Sequence, residues 1–149
     1  LVGGGLVEGM ASPATTTRQP IRAVLIAAAV DHTWLNPGRR YGQSLRRAEV
    51  MSLRNRADLP LQFYPLSAPH SRPALAQVGF TDSDRWAMGD LGDRAIELDV
   101  SVLVGSSHGW RSYSGSPSIA AAIAPFALFM DGGRTSGLPE SNQGVHHSD

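Results

Sequence analysis

An α/β fold is predicted for this chain, with about three parallel strands and helices flanking them. Two observations carry the prediction. Residues 21–30 are nearly continuously apolar, as a strand buried on both faces reads, and Asp31 closes the run. Patterns then alternate along the chain as strand, helix, strand, long excursion, strand, helix. That is the order of a parallel sheet joined by right-handed crossovers. With 149 residues, 42% apolar and 17% charged, the chain is long enough for one core and too apolar for a charge-driven disordered segment.

Each element has its own signal. Residues 2–9 are a glycine-rich apolar stub, and 10–20 a loop of Ser, Thr, Pro and Ala. Pro20 before the 21–30 run and Asp31-His32-Thr33 after it favour strand over helix. Asn36-Pro37-Gly38 is a turn. Tyr41, Leu45 and Ala48 recur at helical spacing between arginines, which predicts a short amphipathic helix. A second strand is expected over 49–55, with Asp58 in the turn beyond it. Residues 59–66 are helix-prone within the limits set by Pro60 and Pro65. Residues 67–93, rich in Pro, Asp and Gly, are expected to run over the surface. The third strand is expected over 95–104, with 100–104 its most strand-like part, and a turn at 105–109. Ser116 as N-cap and Pro117 at the first helical position open the last helix. Its buried stripe is Ile119, Ile123, Phe126 and Met130, with a kink at Pro125. Residues 1–130 form the domain and 131–149 a disordered tail.

Composition removes several function classes. There is no cysteine, so disulfides, thiolate metal sites and cysteine nucleophiles are out. All 13 basic residues are arginine, which excludes Schiff-base lysines and P-loop NTPases. The longest apolar stretch, 119–130, is broken by Pro125 and falls short of the ~20 residues of a membrane span. No cofactor is expected. His146-His147 lacks a third ligand at metal-binding spacing, and His32 and His70 read as exposed loop residues. Arg39, Arg40, Arg46, Arg47, Arg54 and Arg56 form a basic stretch. The acids between Asp82 and Asp99 offer it intramolecular partners, and no aromatic interleaving supports a nucleic-acid partner. Trp34, Trp86 and Trp110 read as packing residues.

In parallel sheets ligands meet the carboxyl ends of the strands. Asp31, Asp58 and His108 lie there, after the first, second and third expected strands. An aspartate after one strand and a histidine after a later one suit an Asp–His pair. The carboxylate holds the imidazole tautomer and stabilises imidazolium during proton transfer. The pattern leaves open the plainer alternative that these aspartates are turn formers, and a strand-end cap is the preferred role for Asp31.

Asn55-Arg56-Ala57-Asp58 and Val104-Gly105-Ser106-Ser107-His108-Gly109-Trp110 resemble the last two triad positions of an α/β-hydrolase. Ala28-Ala29-Val30-Asp31-His32-Thr33-Trp34 and Ser116-Pro117-Ser118-Ile119 are similar to the same group, a poorly characterised bacterial branch of that superfamily. The resemblance runs over residues 1–130 and covers only the C-terminal half of that fold. It implies a serine hydrolase for a small-molecule ester or related acyl substrate, with nucleophile, acid and base in that chain order. Asp58 then matches the acid and His108 the base. Residues 1–7 match the tail of the helix after the nucleophile elbow, which places the nucleophile before residue 1. Leu1 in place of a methionine raises the same expectation of a longer chain. The chain alone is then expected to be inactive, and its first strand, without a neighbour, to favour self-association. The alternative class is a non-catalytic remnant or interaction module.

A competing nucleophile lies within the chain. Gly105-Ser106-Ser107-His108-Gly109 spells G-x-S-x-G after an apolar run. On that reading Ser107 is the nucleophile, Gly3-Gly4-Gly5 an oxyanion loop, and Asp131 with His146 or His147 completes the triad. Two features oppose it. An elbow serine leads directly into a helix, whereas residues 111–118 are polar and interrupted by Gly115 and Pro117. Acid and base also come from later strands, and no strand pattern follows Val104.

Overall fold

The computed structural model describes residues 21–66 and 72–130. Three strands, β1 (Ile21–Leu25), β2 (Ala48–Arg54) and β3 (Ala95–Asp99), form one parallel sheet in the order β1-β2-β3. Ile21 stands opposite Ala48, and Val50 opposite Ala95. Among the described residues β1 pairs along one side, with β2.

Alternation along the strands gives the sheet two apolar faces. Ala23, Leu25, Ala48, Val50 and Ala95 share one core cluster with Leu35, Tyr41, Leu45, Leu75, Phe80 and Met88. Both crossover connections therefore cover one face. Met51 and Leu53, from the other face of β2, pack with Val100, Tyr113, Ile119 and Phe126 of the C-terminal segment. The result is a three-layer α/β arrangement with β2 at its centre, as its burial requires: Val50 and Leu53 are both 0% exposed.

Among the described residues six short α-helices flank the sheet: α1 (Leu59–Gln62), α2 (Leu75–Val78), α3 (Asp82–Met88), α4 (Ser101–Val104), α5 (Trp110–Ser114) and α6 (Pro117–Ala127). The last begins as the sequence predicts. Ser116 accepts a hydrogen bond from Ile119 N, and Pro117 sits where a missing N–H is harmless. Ile119 and Phe126 are buried and Ile123 partly so, but Met130 lies beyond the helix and is exposed. Pro125 falls in the last turn of α6, which runs on to Ala127.

Several elements differ from expectation. The apolar run 21–30 is a strand only to Leu25. Ala27 takes a positive φ of 48°, outside extended geometry, and the carbonyls of Ala28 and Val30 accept from Ala76 N and Leu75 N instead. Tyr41 and Leu45 are buried, but on a tight turn with a 3-10 segment at Ser44–Arg46, and Ala48 opens β2. The stretch expected as surface excursion, 67–93, contains the buried Ala74, Leu75, Ala76, Phe80, Asp84 and Met88. Val100 N still bonds Arg54 O, but Ser101 N and Oγ both donate to Asp99 Oδ1, at 3.0 and 2.6 Å. That side-chain turn starts α4, so 101–104 is helical, and Val102 is 98% exposed. Trp34 packs on the core, whereas Trp86 and Trp110 are exposed rather than packed. The tail 131–149 lies outside the described residues.

Candidate active site

The carboxyl end of β2 runs into a tight turn. Asn55 Oδ1 accepts from Ala57 N at 3.1 Å, and Asn55 O accepts from Asp58 N at 3.3 Å. Asp58 is the N-cap of α1: its Oδ1 accepts from Leu61 N at 3.1 Å, and Pro60 occupies the first turn. Capping uses one carboxylate oxygen and leaves Oδ2 for another donor.

That donor comes from the far side of β3. After α4, Gly105 takes a φ of +64° and the chain doubles back across the end of the sheet. His108 Nδ1 then lies 2.8 Å from Asp58 Oδ2. A carboxylate only accepts, so Nδ1 is the donor. Nε2, on the opposite side of the ring, has no hydrogen-bond partner among the described residues. The Asp58 side chain is fully buried, whereas that of His108 is 38% exposed. A buried carboxylate thus orients a partly exposed imidazole, an arrangement suited to receiving a proton at Nε2.

Two further groups touch the pair. Tyr113 Oη is 3.5 Å from Asp58 Oδ2 and 3.4 Å from Asn55 Nδ2. Burial pushes the Tyr113 phenol above its ordinary pKa and the nearby Asp58 charge adds to this, against the opposing bond from Asn55. Asn55 Nδ2 also donates to Gly105 O at 2.8 Å. Tyr113 carries no signal in the polar 111–118 stretch. Asn55 is signalled only as a polar residue closing an apolar strand before Asp58.

A second Asp–His pair lies elsewhere. His32 Nδ1 is 2.7 Å from Asp84 Oδ2, with side-chain exposures of 10% and 1%. His32 is therefore buried, not an exposed loop residue. Asp84 also accepts from Asn36 Nδ2 and from Thr81 N and Oγ1, and it completes a capping box with Thr81 at the start of α3. The Thr81-Asp82-Ser83-Asp84 spacing is the sequence signal for that box. Burial acts to raise the Asp84 carboxyl, but hydrogen bonds from Thr81, Asn36 and His32 outweigh it and hold it below its ordinary value. With both partners covered, this pair fastens the β1–β2 connection to α3.

The remaining candidates fall outside the pair. Asp31 caps a 3-10 segment, accepting from Thr33 N and Oγ1 at 2.9 and 2.8 Å. Ser107 Oγ is bonded to Ser112 Oγ at 2.6 Å and follows the helix α4, not a strand, which removes the elbow geometry from G-x-S-x-G. Gly3-Gly4-Gly5, His70, Asp131, His146 and His147 lie outside the described residues. Arg54 pairs with Glu97 and Asp99, and Arg56 with Asp99, so part of the basic stretch is satisfied within the chain. Among the described residues no group of three or more His, Asp or Glu side chains is placed to hold a metal ion, and no helix is long and apolar enough to cross a membrane. Comparison with known proteins finds no matching family model, no matching curated protein and no matching solved structure.

Proposed function

We propose that Asp58 and His108 are the acid and base of an acyl-transfer centre of the serine-hydrolase kind, acting on a nucleophile contributed from outside residues 21–130. The observation that carries this reading is the 2.8 Å bond from a partly exposed imidazole to a fully buried carboxylate. The consecutive parallel order of β1, β2 and β3, with acid after β2 and base after β3, supports it.

The chemistry follows from the pair. His108 Nε2 takes the proton of a serine hydroxyl as its oxygen bonds to the carbonyl carbon of an ester or related acyl substrate. The same proton passes to the leaving alcohol as the ester C–O bond breaks. Water then gives a proton to Nε2 as it attacks the acyl carbon, the acyl–serine C–O bond breaks, the carboxylic acid leaves and the proton returns to the serine oxygen. Asp58 stays ionised throughout and stabilises the transient imidazolium.

A second reading has its own observation. His32–Asp84 is the same bond used as a fastener, so His108–Asp58 is equally able to pin a loop in an interaction module without turnover. Expressing the longest reading frame that contains this chain separates the two. The hydrolase reading expects a fluorophosphonate probe to label one serine outside residues 21–130. It also expects activated-ester hydrolysis that falls by about 10⁴-fold in Asp58→Asn and by about 10⁶-fold in His108→Ala. No labelled serine, or turnover indifferent to His108→Ala, overturns it in favour of the module.

A further inference from the structure

We infer that Asn55 is a positioning residue that holds His108 against Asp58. The assignment concerns the same pair, and its bearing on acyl transfer rests on the reading above.

The argument is an accounting of what fastens the base. His108 sits in the 105–109 connector between α4 and α5. Among the described residues, no backbone–backbone hydrogen bond made by Ser106, Ser107 or His108 ties that connector down. The His108 side chain is 38% exposed, so packing covers it only in part. Besides the Asp58 bond itself and the backbone bonds that join the connector's ends to α4 and α5, Gly105 N to Ser101 O and Ser112 N to Gly109 O, two side-chain tethers are present among the described residues. Ser107 Oγ bonds Ser112 Oγ at 2.6 Å and accepts from Gly109 N at 3.3 Å, which closes the connector on its own α5 side. The tether to the β2 side is Asn55 Nδ2, 2.8 Å from Gly105 O and 3.4 Å from Ser107 O.

Asn55 itself has no freedom to spare. It is 0% exposed. Its N–H donates to Ala76 O at 2.6 Å and its carbonyl accepts from Asp58 N at 3.3 Å. Its Oδ1 accepts from Ala57 N at 3.1 Å, which fixes the amide orientation and aims Nδ2 at the connector. One buried side chain thus joins the turn that carries the acid to the connector that carries the base. The backbone of the same residue is anchored on the β2–β3 crossover. An aspartate at this position keeps the size and the Ala57 contact but sets a carboxylate oxygen against two carbonyl oxygens.

The test reads the imidazole directly by nitrogen-edited NMR of the 149-residue chain. In the wild-type chain, His108 is expected in the Nδ1–H form with a slowly exchanging proton, and Asp58→Asn removes that signature. Asn55→Asp is expected to remove it as well, while amide protection in β2 persists. If Asn55→Asp keeps the Nδ1–H signal and loses only thermal stability, Asn55 is structural and the assignment falls. If the variant does not fold, exchange of the wild-type Asn55 side-chain amide decides: protection supports the tether, and exchange at the rate of an exposed amide overturns it. Failure of the hydrolase reading leaves this readout untouched, because no turnover enters it.

Discussion

Asp58 and His108 are separated by 50 positions in the chain, yet their side chains meet at 2.8 Å over the carboxyl end of the sheet. The contact depends on two local devices. An N-cap commits one Asp58 oxygen to α1, and the reversal after Gly105 brings the histidine back across β3. His32 and Asp84 make the same bond at 2.7 Å under cover, so the two pairs differ in exposure rather than in geometry. That difference separates their expected behaviour.

On the proposed reading no serine of residues 21–130 is the nucleophile, so hydrolysis of an activated ester such as p-nitrophenyl acetate by the 149-residue chain is expected to owe nothing to Ser107. Ser107→Ala is expected to leave that rate unchanged, since Ser107 Oγ is engaged with Ser112. Turnover that vanishes in Ser107→Ala would install Ser107 as the nucleophile. A stopped assay with both proteins at equal concentration is sufficient.

Breaking the covered pair should cost stability, not chemistry. His32→Ala leaves the Asp84 carboxylate buried without its histidine donor, and Asp84→Ala removes the Asp84 side-chain half of the α3 capping box and the Asn36 bond. Each is expected to destabilise the fold by about 1–3 kcal/mol, the cost of leaving a buried polar group without one partner. That is a large share of the ~5–15 kcal/mol typical of a whole domain. Urea midpoints measure it. A shift of less than about 1 kcal/mol in both variants would show that the network is dispensable.

Stability should fall at both extremes of pH. Asp99 is held at about 2 by Ser101 hydrogen bonds and Arg54, and Asp84 is held below its ordinary value by hydrogen bonds that outweigh its burial. A folded-state pKa below the unfolded one contributes stability above the unfolded value of ~3.9, and that contribution disappears as pH falls through the folded value. For Asp99 the window runs from about 4 down to about 2. Its side chain is 42% exposed, so solvent screens its share. On the alkaline side burial raises Tyr113 and Tyr64, so their contribution is full below ~10 and is lost as pH rises through the folded values. Urea midpoints at neutral pH, near pH 3 and near pH 11 test both signs. A midpoint flat over the acid range would refute the Asp84 and Asp99 assignments.

Substitutions in the two apolar stretches that look alike in sequence should behave differently. Leu53, 0% exposed in β2, is expected to cost about 2–5 kcal/mol as Leu53→Ala. Val102, 98% exposed on α4, is expected to stay within about 0.5 kcal/mol as Val102→Ser. Comparable losses at the two positions would mean that 101–104 is buried strand after all.

Where the deciding forces are local, the sequence alone suffices. Ser116 and Pro117 open α6 because a cap and a fixed φ act within one turn. The parallel sheet follows from apolar runs separated by crossover-length segments, and Asp58 and His108 are picked out because both follow such runs. Tertiary structure decided the rest, where a group's partner lies far along the chain. Residues 101–104 have strand-like side chains, but the Asp99–Ser101 bonds and the end of the sheet at Arg54 turn them into helix. His32 looks like a loop histidine until Asp84, 52 positions away, folds over it. Asn55 is one more polar residue in a turn until Gly105, 50 positions on, offers its carbonyl. Propensity and periodicity act over a turn or two, whereas burial and long-range hydrogen bonds are set only when the layers close.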